Sequence, residues 1–482
     1  MKKANAVANK VVIILLACLA SISNAESAAP ECLNTMAPPK NSFDLTQTAY
    51  LFNFIANADA SIRGNPQNLA DFVFAAVTNG NENRPYVFVD KTGNASFKSV
   101  APGLIKTLGP RLAGGDWELV WGPGVYELSD SNGESDNAAF VVHSASQDAY
   151  ILAIAGTNPS ANLDWLLEDF KVGPDYLVKW PLSFDYPPTT IPRDQVVNSD
   201  QMISTGTAKG VYYLLTSLVQ SRYAPSVRLT LQAFLSRLSQ SSSGNTKLIV
   251  TGHSLGGALS PTVANWAQDT LTAIDSRWAG HVFAMPTAGP TPGNAAYARS
   301  WNVKFQPCTV PVNDGNIVKS LNSLVYSQWD IVPHAWDRIF KPLATQEENY
   351  YLWDPHPIGK RYGINTQLGE LSLPSNKTSK AFGAAVVAAQ RLGDEAGMTS
   401  QRSKIEIKDN NARPPYAAWP VLTLDTGNFN QVVPYYMPDS PIQDLGTFFD
   451  AIGNIHTWGY TSAFGIQIQD IQDIFPLTQR IK

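Results

Sequence analysis

The stretch KLIVTGHSLGGALSPTVANW, residues 247–266, constrains the fold of this chain more than any other segment. Its apolar start predicts a buried strand, and the small residues after Ser254 lead into a helical pattern. Ser254 is the centre of a Gly-x-Ser-x-Gly sequence, which places a serine on a sharp turn between a strand and a helix. Glycine suits the two flanking positions because a Cβ atom there would clash. The pattern therefore predicts a serine nucleophile at a helix N-terminus, whose dipole stabilises developing negative charge.

A serine hydroxyl needs a base to become nucleophilic, and the base needs an acid that orients it. With the serine on such a turn, the expected chain order is serine, then Asp or Glu, then histidine. Asp330 follows the predicted strand SLVYSQW, and His456 lies near the C-terminus in GNIHTWGY. We therefore predict that Asp330 and His456 complete a catalytic triad with Ser254. The histidines at 334 and 356 are interpreted as local loop or pocket-wall residues.

An oxyanion hole requires two donors beside the nucleophile. One is the backbone N–H of Leu255, directly after the serine, and the other is expected after the third strand of the sheet. That strand is AYILAIAGT, so we predict Thr157 as the second donor. The alternative for Thr157 is an ordinary turn at the end of a strand. His253 adjoins the nucleophile, but its side chain is expected to point away from the reacting face.

The order of predicted elements indicates an α/β protein. Two strands, AAFVVHSAS and AYILAIAG, are separated by a short polar turn that suits a hairpin. Further strands are predicted at KLIV, GHVFAMPTAG and SLVYSQW, with helices over 207–240, 257–274 and NAAYARSW. Strands separated by helices predict a mostly parallel sheet with helices on both faces. Residues 331–455 are less regular, apart from an alanine-rich helix predicted over 379–397, and are interpreted as a large insertion.

The N-terminus has the pattern of a secretory signal peptide over residues 1–25. The lysine-containing start MKKANAVANK precedes the apolar run VVIILLACLA and the small-residue exit SISNA. We expect a mature chain of residues 26–482 that is secreted, either to the extracellular space or to a cell-envelope compartment. Residues 15–18 loosely resemble a lipoprotein box, which leaves a lipid-anchored chain as the alternative. No later stretch predicts a transmembrane anchor.

Composition argues against a nucleic-acid partner and leaves open whether two cysteines form a disulfide. Charged residues make up 16% of the chain and the net charge is −5, so no basic surface for nucleic acid is expected. After cleavage, two cysteines remain, Cys32 and Cys308, which either pair in an oxidising compartment or stay as free thiols. No metal cluster with ligand spacing is visible, and the triad chemistry requires no cofactor.

These motifs together resemble the class three lipases, the family that includes the filamentous-fungal triacylglycerol lipases. The resemblance is carried by VVHSASQDAYILAIAGTNPSANLDWLLEDF, LIVTGHSLGGALS, FAMPTAGPTPGNAAYA, YSQWDIVP and IHTWGY. It covers roughly residues 118–335 and the stretch around His456. The resemblance implies an α/β-hydrolase fold and carboxylic-ester hydrolysis. It assigns Ser254, Asp330 and His456 to the triad, and Thr157 and Leu255 to the oxyanion hole.

The resemblance also implies a lid, which we expect within residues 158–200. Leucines and a phenylalanine recur there over 163–170 with helical spacing, although a helix packed on the core would give the same pattern. The sequence departs from the family at Ala155, where arginine is common, and in residues 331–455, which we interpret as a cap. The expected substrate is a lipid ester, such as an acylglycerol, at a lipid–water interface. Alternatives are a phospholipase, an esterase for soluble or polymeric esters, or a surface-binding protein without catalysis.

Overall fold

The structure is a computed structural model. It describes residues 30–326 apart from 61, 81–85, 90–94, 99–101, 128–132, 134, 157–173, 198, 227–228, 242 and 315. Beyond these it describes residues 330, 332–334, 357–358, 361–366, 369–374, 421–423, 453, 456–457, 459–461 and 463–472. The predicted signal peptide, the predicted lid helix and Thr157 therefore lie outside the described residues.

Eight helices have defined bounds among the described residues. In chain order they are α1 Leu45–Ala56, α2 Pro66–Val77, α3 Leu104–Leu108, α4 Thr205–Thr216, α5 Leu231–Leu238, α6 Leu255–Ile274, α7 Ala295–Lys304 and α8 Ile468–Gln472. Residues 456–457 and 459–461 are also helical. Within this described part of the chain, no helix combines the length and apolar character needed to cross a membrane.

The strands form one large sheet and several small ones. The large sheet contains β3 Glu118–Tyr126, β4 Asn137–Ser144, β5 Ala149–Ile154, β8 Val219–Gln220, β9 Lys247–His253, β10 Val282–Thr287, β13 Leu324–Tyr326 and β17 Val421–Thr423. The others are β1 Tyr86–Val89, β2 Ala95–Lys98, β6 Leu177–Lys179, β7 Met202–Ser204, β11 Cys308–Thr309, β12 Ser320–Leu321, β14 Pro357–Ile358, β15 Arg361–Thr366 and β16 Gly369–Pro374.

The large sheet has the order β17-β13-β10-β9-β5-β4-β3-β8. Its strands from β17 to β5 run parallel, whereas β4, β3 and β8 are antiparallel to their neighbours. The predicted hairpin is present, since β4 pairs with β5 in antiparallel register. The prediction of an α/β-hydrolase fold with a mostly parallel sheet is confirmed.

Alternating residues of the central strand β9 contact the two hydrophobic cores that cover the sheet. Ile249 faces the core that also contains Phe52 of α1, whereas Leu248 and Val250 face the core that contains Val263 of α6. A strand buried on both faces has a continuous apolar sequence, which explains why apolar and polar residues do not alternate over Leu248–Val250. Helices thus lie on both faces of the sheet, as the order of elements predicts.

The segment predicted as one helical region over 207–240 is divided in the structure, so that prediction is wrong in its extent. Helices α4 and α5 are separated by β8 and a loop that contains Pro225. The buried carboxylate of Asp71 in α2 accepts hydrogen bonds from the Ser221 hydroxyl at 2.8 Å and the Arg222 N–H at 2.9 Å. Contacts with α2, together with a proline that lacks an N–H, therefore outweigh the local helical pattern.

Part of the long insertion belongs to the large sheet. Within residues 331–455, β14 to β16 form a small antiparallel sheet, and β17 pairs in parallel register with β13. Strand β13 precedes Asp330, so the insertion supplies the strand beside the candidate acid. In the predicted lid region, the described residues 174–197 contain two 3-10 turns and β6, which pairs with β7. The alanine-rich helix predicted over 379–397 lies outside the described residues.

The N-terminal arm, residues 30–43, is fastened to the domain by a disulfide. Cys32 and Cys308 are bonded, and the Cys32 N–H donates to the Thr309 carbonyl oxygen at 2.7 Å. Of the two alternatives that the sequence leaves open, the structure therefore contains the bridge. The arm leads into α1, whose Tyr50 ring stacks on the Phe464 ring at 4.2 Å between centroids. Helix α1 thus contacts the C-terminal segment that carries His456.

Candidate active site

Ser254 lies on the sharp turn between β9 and α6 that the Gly-x-Ser-x-Gly sequence predicts. Its φ and ψ are 59° and −122°, a combination that L-residues rarely adopt. A Cβ atom at Gly252 would collide with the backbone of Gly256, and one at Gly256 would lie 2.5 Å from the Ile154 carbonyl oxygen, so neither position has room for a side chain. Ser254 is buried, with 5% of its surface exposed. Such strained backbone geometry at one buried serine is typical of a functional position.

The N-terminus of α6 adjoins this serine. The Ser254 carbonyl oxygen accepts hydrogen bonds from the Gly257 and Ala258 N–H groups at 2.8 and 3.2 Å, which begins the helix at Leu255. The first N–H groups of a helix have no partner within the helix, and the helix dipole adds positive potential there. The structure therefore places Leu255, one of the two predicted oxyanion donors, where its N–H can serve that role.

Asp330 and His456 are brought together from distant parts of the chain. His456 Nδ1 lies 2.7 Å from Asp330 Oδ2. The same carboxylate accepts hydrogen bonds from the Tyr460 hydroxyl at 2.8 Å and from the Val332 N–H, through Oδ1, at 3.0 Å. Asp330 is fully buried, and a buried carboxylate is tolerated when donors surround it. The arrangement fixes the imidazole orientation and leaves Nε2 as the ring nitrogen available for proton transfer.

His253 contacts the candidate base, contrary to the sequence-based expectation, which is wrong. The ring centroids of His253 and His456 are 4.6 Å apart, and the Tyr460 ring lies 5.2 Å from His253. His253 Nδ1 forms a hydrogen bond with Thr287 Oγ1 at 3.0 Å. Burial holds the pKa of His253 well below its ordinary value, and positive charge on His456 lowers it further. We infer that His253 is a neutral aromatic wall of the site at neutral pH.

This lowered pKa predicts an acid-dependent loss of stability. Because unfolded His253 regains an ordinary pKa near 6.5, the unfolded state binds the extra proton below that pH and acidification favours unfolding. The free energy of unfolding should fall by up to about 1.4 kcal/mol per pH unit from this group. Urea unfolding of the wild type and His253→Gln at pH 7 and pH 5.5 measures the difference. Equal pH dependence in the two proteins would contradict this assignment.

The second predicted oxyanion donor, Thr157, lies outside the described residues, but the residue before it is described. The Gly156 N–H donates to Asn57 Oδ1 at 2.7 Å. A Cβ atom at Gly156 would lie 3.1 Å from Ser254 Cβ and 2.7 Å from the His253 carbonyl oxygen. The end of β5 therefore contacts the nucleophile turn directly. The predicted donor is the next residue along the chain.

Several site residues escaped the sequence analysis. Tyr460 donates to Asp330, and Asn57 accepts a hydrogen bond from the Gly156 N–H. Tyr460 ends the IHTWGY stretch but receives no role from the sequence, and Asn57 lies in none of the quoted motifs. Tyr460 follows His456 by four positions, and this helical spacing was the one available signal. Of the two other candidate histidines, His334 lies in the 3-10 helix Val332–His334 and His356 lies outside the described residues. Among the residues that the structure describes, no group of His, Cys, Asp and Glu is arranged to hold a metal ion.

Comparison with known proteins supports the resemblance. Residues 184–338 match the family model described as Lipase (class 3). The fold of M37 lipase superposes with a TM-score of 0.54 and 21% identity, covering 90% of this chain and 98% of that one. Two fungal structures match more partially. Lipase II from Rhizopus niveus (TM-score 0.29, 15% identity) covers 46% of this chain and 62% of its own. The lipase from Rhizopus microsporus var. chinensis (TM-score 0.27, 16% identity) covers 45% and 56%. No curated protein sequence matches.

Proposed function

We propose that this chain, whose residues 184–338 match the class 3 lipases, is a secreted serine hydrolase of carboxylic esters. The observation that carries the proposal is one juxtaposition. A strained serine precedes a helix at the carboxyl end of β9, and His456, paired with the buried Asp330, lies beside the adjoining His253. A binding protein with the same fold would have no need of an acid, a base and a strained serine together.

The reaction follows from the roles of these groups. His456 Nε2 takes the proton of the Ser254 hydroxyl as Oγ attacks the acyl carbon, and the electron pair of the carbonyl moves to its oxygen. The Leu255 N–H, and Thr157 as the second donor, stabilise that oxyanion. His456 then protonates the leaving alcohol, and water hydrolyses the acyl-enzyme by the same route. Asp330 holds the imidazole tautomer and stabilises the imidazolium.

We further propose that the substrate is a lipid ester, such as an acylglycerol, met at a lipid–water interface. The match to class 3 lipases supports this substrate class. The predicted lid over 158–200 and the cap over 331–455 are proposed to control access and to set the acyl and head-group preference. Secretion rests on the signal-peptide pattern of residues 1–25, and it applies to the mature chain from residue 26.

Hydrolysis of a p-nitrophenyl ester series from butyrate to palmitate tests the substrate class. A lipase is expected to hydrolyse the long esters at least as fast as the short ones, and to act on emulsified acylglycerol. A maximum at butyrate with no activity on emulsions would indicate an esterase for soluble esters, whereas activity confined to phospholipid would indicate a phospholipase. Labelling of Ser254 by a fluorophosphonate is expected in each case, because the probe requires only the activated serine. An unlabelled serine together with no hydrolysis would contradict the enzyme proposal and favour the surface-binding alternative.

A further inference from the structure

Asn57, at the C-terminal end of α1, connects that helix to the end of β5. Its Oδ1 accepts the Gly156 N–H at 2.7 Å, and its Nδ2 donates to the Asn53 carbonyl oxygen at 3.1 Å. The amide orientation is determined by these partners, because a backbone N–H only donates and a carbonyl oxygen only accepts. Asn57 therefore offers a fixed acceptor to one particular backbone group of β5.

That backbone group has no partner in the sheet. The ladder between β5 and β9 ends with Ile154 opposite Gly252, and the Ala155 N–H donates to the Ala138 carbonyl oxygen at 2.8 Å. Gly156 is the next residue, beyond the last pairing on either side of β5. Gly156 is half-buried, and an N–H withdrawn from water without an acceptor is costly, so the side chain of Asn57 replaces the missing strand partner.

The segment held in this way is packed against the nucleophile turn. A Cβ atom at Gly156 would lie 3.1 Å from Ser254 Cβ, and one at Gly256 would lie 2.5 Å from the Ile154 carbonyl oxygen. The end of β5 thus lies between the helix cap on one side and the turn that carries Ser254 on the other. Any rotation of the Gly156 peptide alters the backbone within contact distance of the serine.

We propose that Asn57 is a positioning residue for the oxyanion-binding backbone, an inference that rests on the proposed ester-hydrolase function. By fixing the Gly156 N–H, the amide sets the direction of the chain at the point where β5 leaves the sheet. The donor assigned from the sequence follows Gly156 directly. Oxyanion stabilisation depends on donors that are already oriented before charge develops, so a small change in this direction weakens transition-state binding more than substrate binding.

The test compares the transition-state affinity of Asn57→Ala with its stability. The probe is an alkyl trifluoromethyl ketone. Its carbonyl carbon is attacked by Ser254 Oγ, the hydroxyl proton passes to His456, and the carbonyl electron pair becomes an oxyanion. Deleting one oxyanion donor costs about 10²–10³ in rate, and misorienting one costs a fraction of that. We expect Ki for the ketone to rise about 10-fold and kcat to fall about 10-fold, with KM changed less than about 2-fold.

Asn322→Gly is the matched control. Asn322 Oδ1 accepts the Ala284 N–H of β10 at 2.9 Å, the same kind of bond to the same sheet, and glycine tolerates its φ of 61°. Both variants should lose a similar amount of thermal stability, but Asn322→Gly should keep the wild-type Ki. If Asn57→Ala changes Ki and kcat no more than the control does, Asn57 is only structural and the proposal is overturned. If the wild type neither binds the ketone nor hydrolyses esters, the ester-hydrolase proposal fails first and this inference falls with it.

Discussion

Replacing Ser254 by alanine is expected to lower kcat for ester hydrolysis by at least about 10⁵-fold. The substitution removes the only atom that forms the proposed acyl-enzyme and leaves the Asp330–His456 pair without a proton donor to activate. Alanine adopts the same backbone as serine, so the turn at φ 59° should remain and the melting temperature should change by less than a few degrees. Hydrolysis of the preferred p-nitrophenyl ester, with active-site titration of the wild type, measures the effect.

Ser254→Gly separates catalysis from the strain of the turn. Glycine adopts a positive φ without steric penalty, so this variant should be inactive yet more stable by about 1 kcal/mol than Ser254→Ala. This difference in the free energy of unfolding would measure the backbone strain at residue 254. Residual activity of either variant above about one part in 10³ would exclude Ser254 as the nucleophile.

Replacing Asp330 by asparagine is expected to lower kcat/KM about 10⁴-fold. The carboxylate accepts hydrogen bonds on both oxygens, from Val332 at one and from His456 and Tyr460 at the other. An amide has one accepting atom and one donating atom, so neither orientation satisfies all three donors. In one orientation the amide NH₂ group faces the Val332 N–H, and two donors are opposed. In the other, the NH₂ group donates to His456 Nδ1, which places the imidazole proton on Nε2, so that Nε2 can no longer accept the serine proton.

The same substitution should destabilise the protein by about 1–3 kcal/mol, since a buried donor loses its acceptor. Tyr460→Phe is the control for this effect, because it removes one donor and leaves the other two contacts of the carboxylate intact. It should reduce kcat/KM about 10-fold or less. Steady-state kinetics with urea unfolding of both variants makes the comparison. If Asp330→Asn kept more than about a tenth of the wild-type kcat/KM, Asp330 would not be the orienting acid.

The large-sheet strands that the sequence predicts are those with an uninterrupted apolar pattern. Strand β9 and its neighbours β5 and β10 are buried on both faces. A strand buried in this way has a short continuous run of apolar residues, which is visible in the sequence. Strand β3 was not predicted, because Gly122 and Pro123 interrupt its pattern and its pairing with β4 shifts register at those residues. Division of the region 207–240 depends on Asp71, which lies far away in the sequence and leaves no local signal.

The site was predictable where chemistry imposes an order along the chain. Asp330 and His456 are 126 residues apart, yet the order serine, acid, histidine selects them, and the structure brings them into contact. Asn57 and Gly156 are 99 residues apart, and no rule of order relates an asparagine at a helix end to a strand end. The predicted orientation of His253 is wrong because its ring contacts His456, which lies in the C-terminal segment. The local sequence around His253 contains no information about that distant contact.

The order of Ser254 and His456 along the chain determines when, during synthesis, the proposed active site becomes complete. The serine turn is made roughly 200 residues before His456, a delay of about 10–40 s at ordinary rates of elongation. His456 then pairs with Asp330, which also accepts a hydrogen bond from Tyr460, and Phe464 of the same segment stacks on Tyr50 of the first helix. A nascent chain therefore carries a serine that lacks its base, and a chain truncated before residue 456 lacks it permanently. Under the proposed triad, esterase activity should therefore report only chains that have been translated beyond residue 456 and have docked this segment on the first helix.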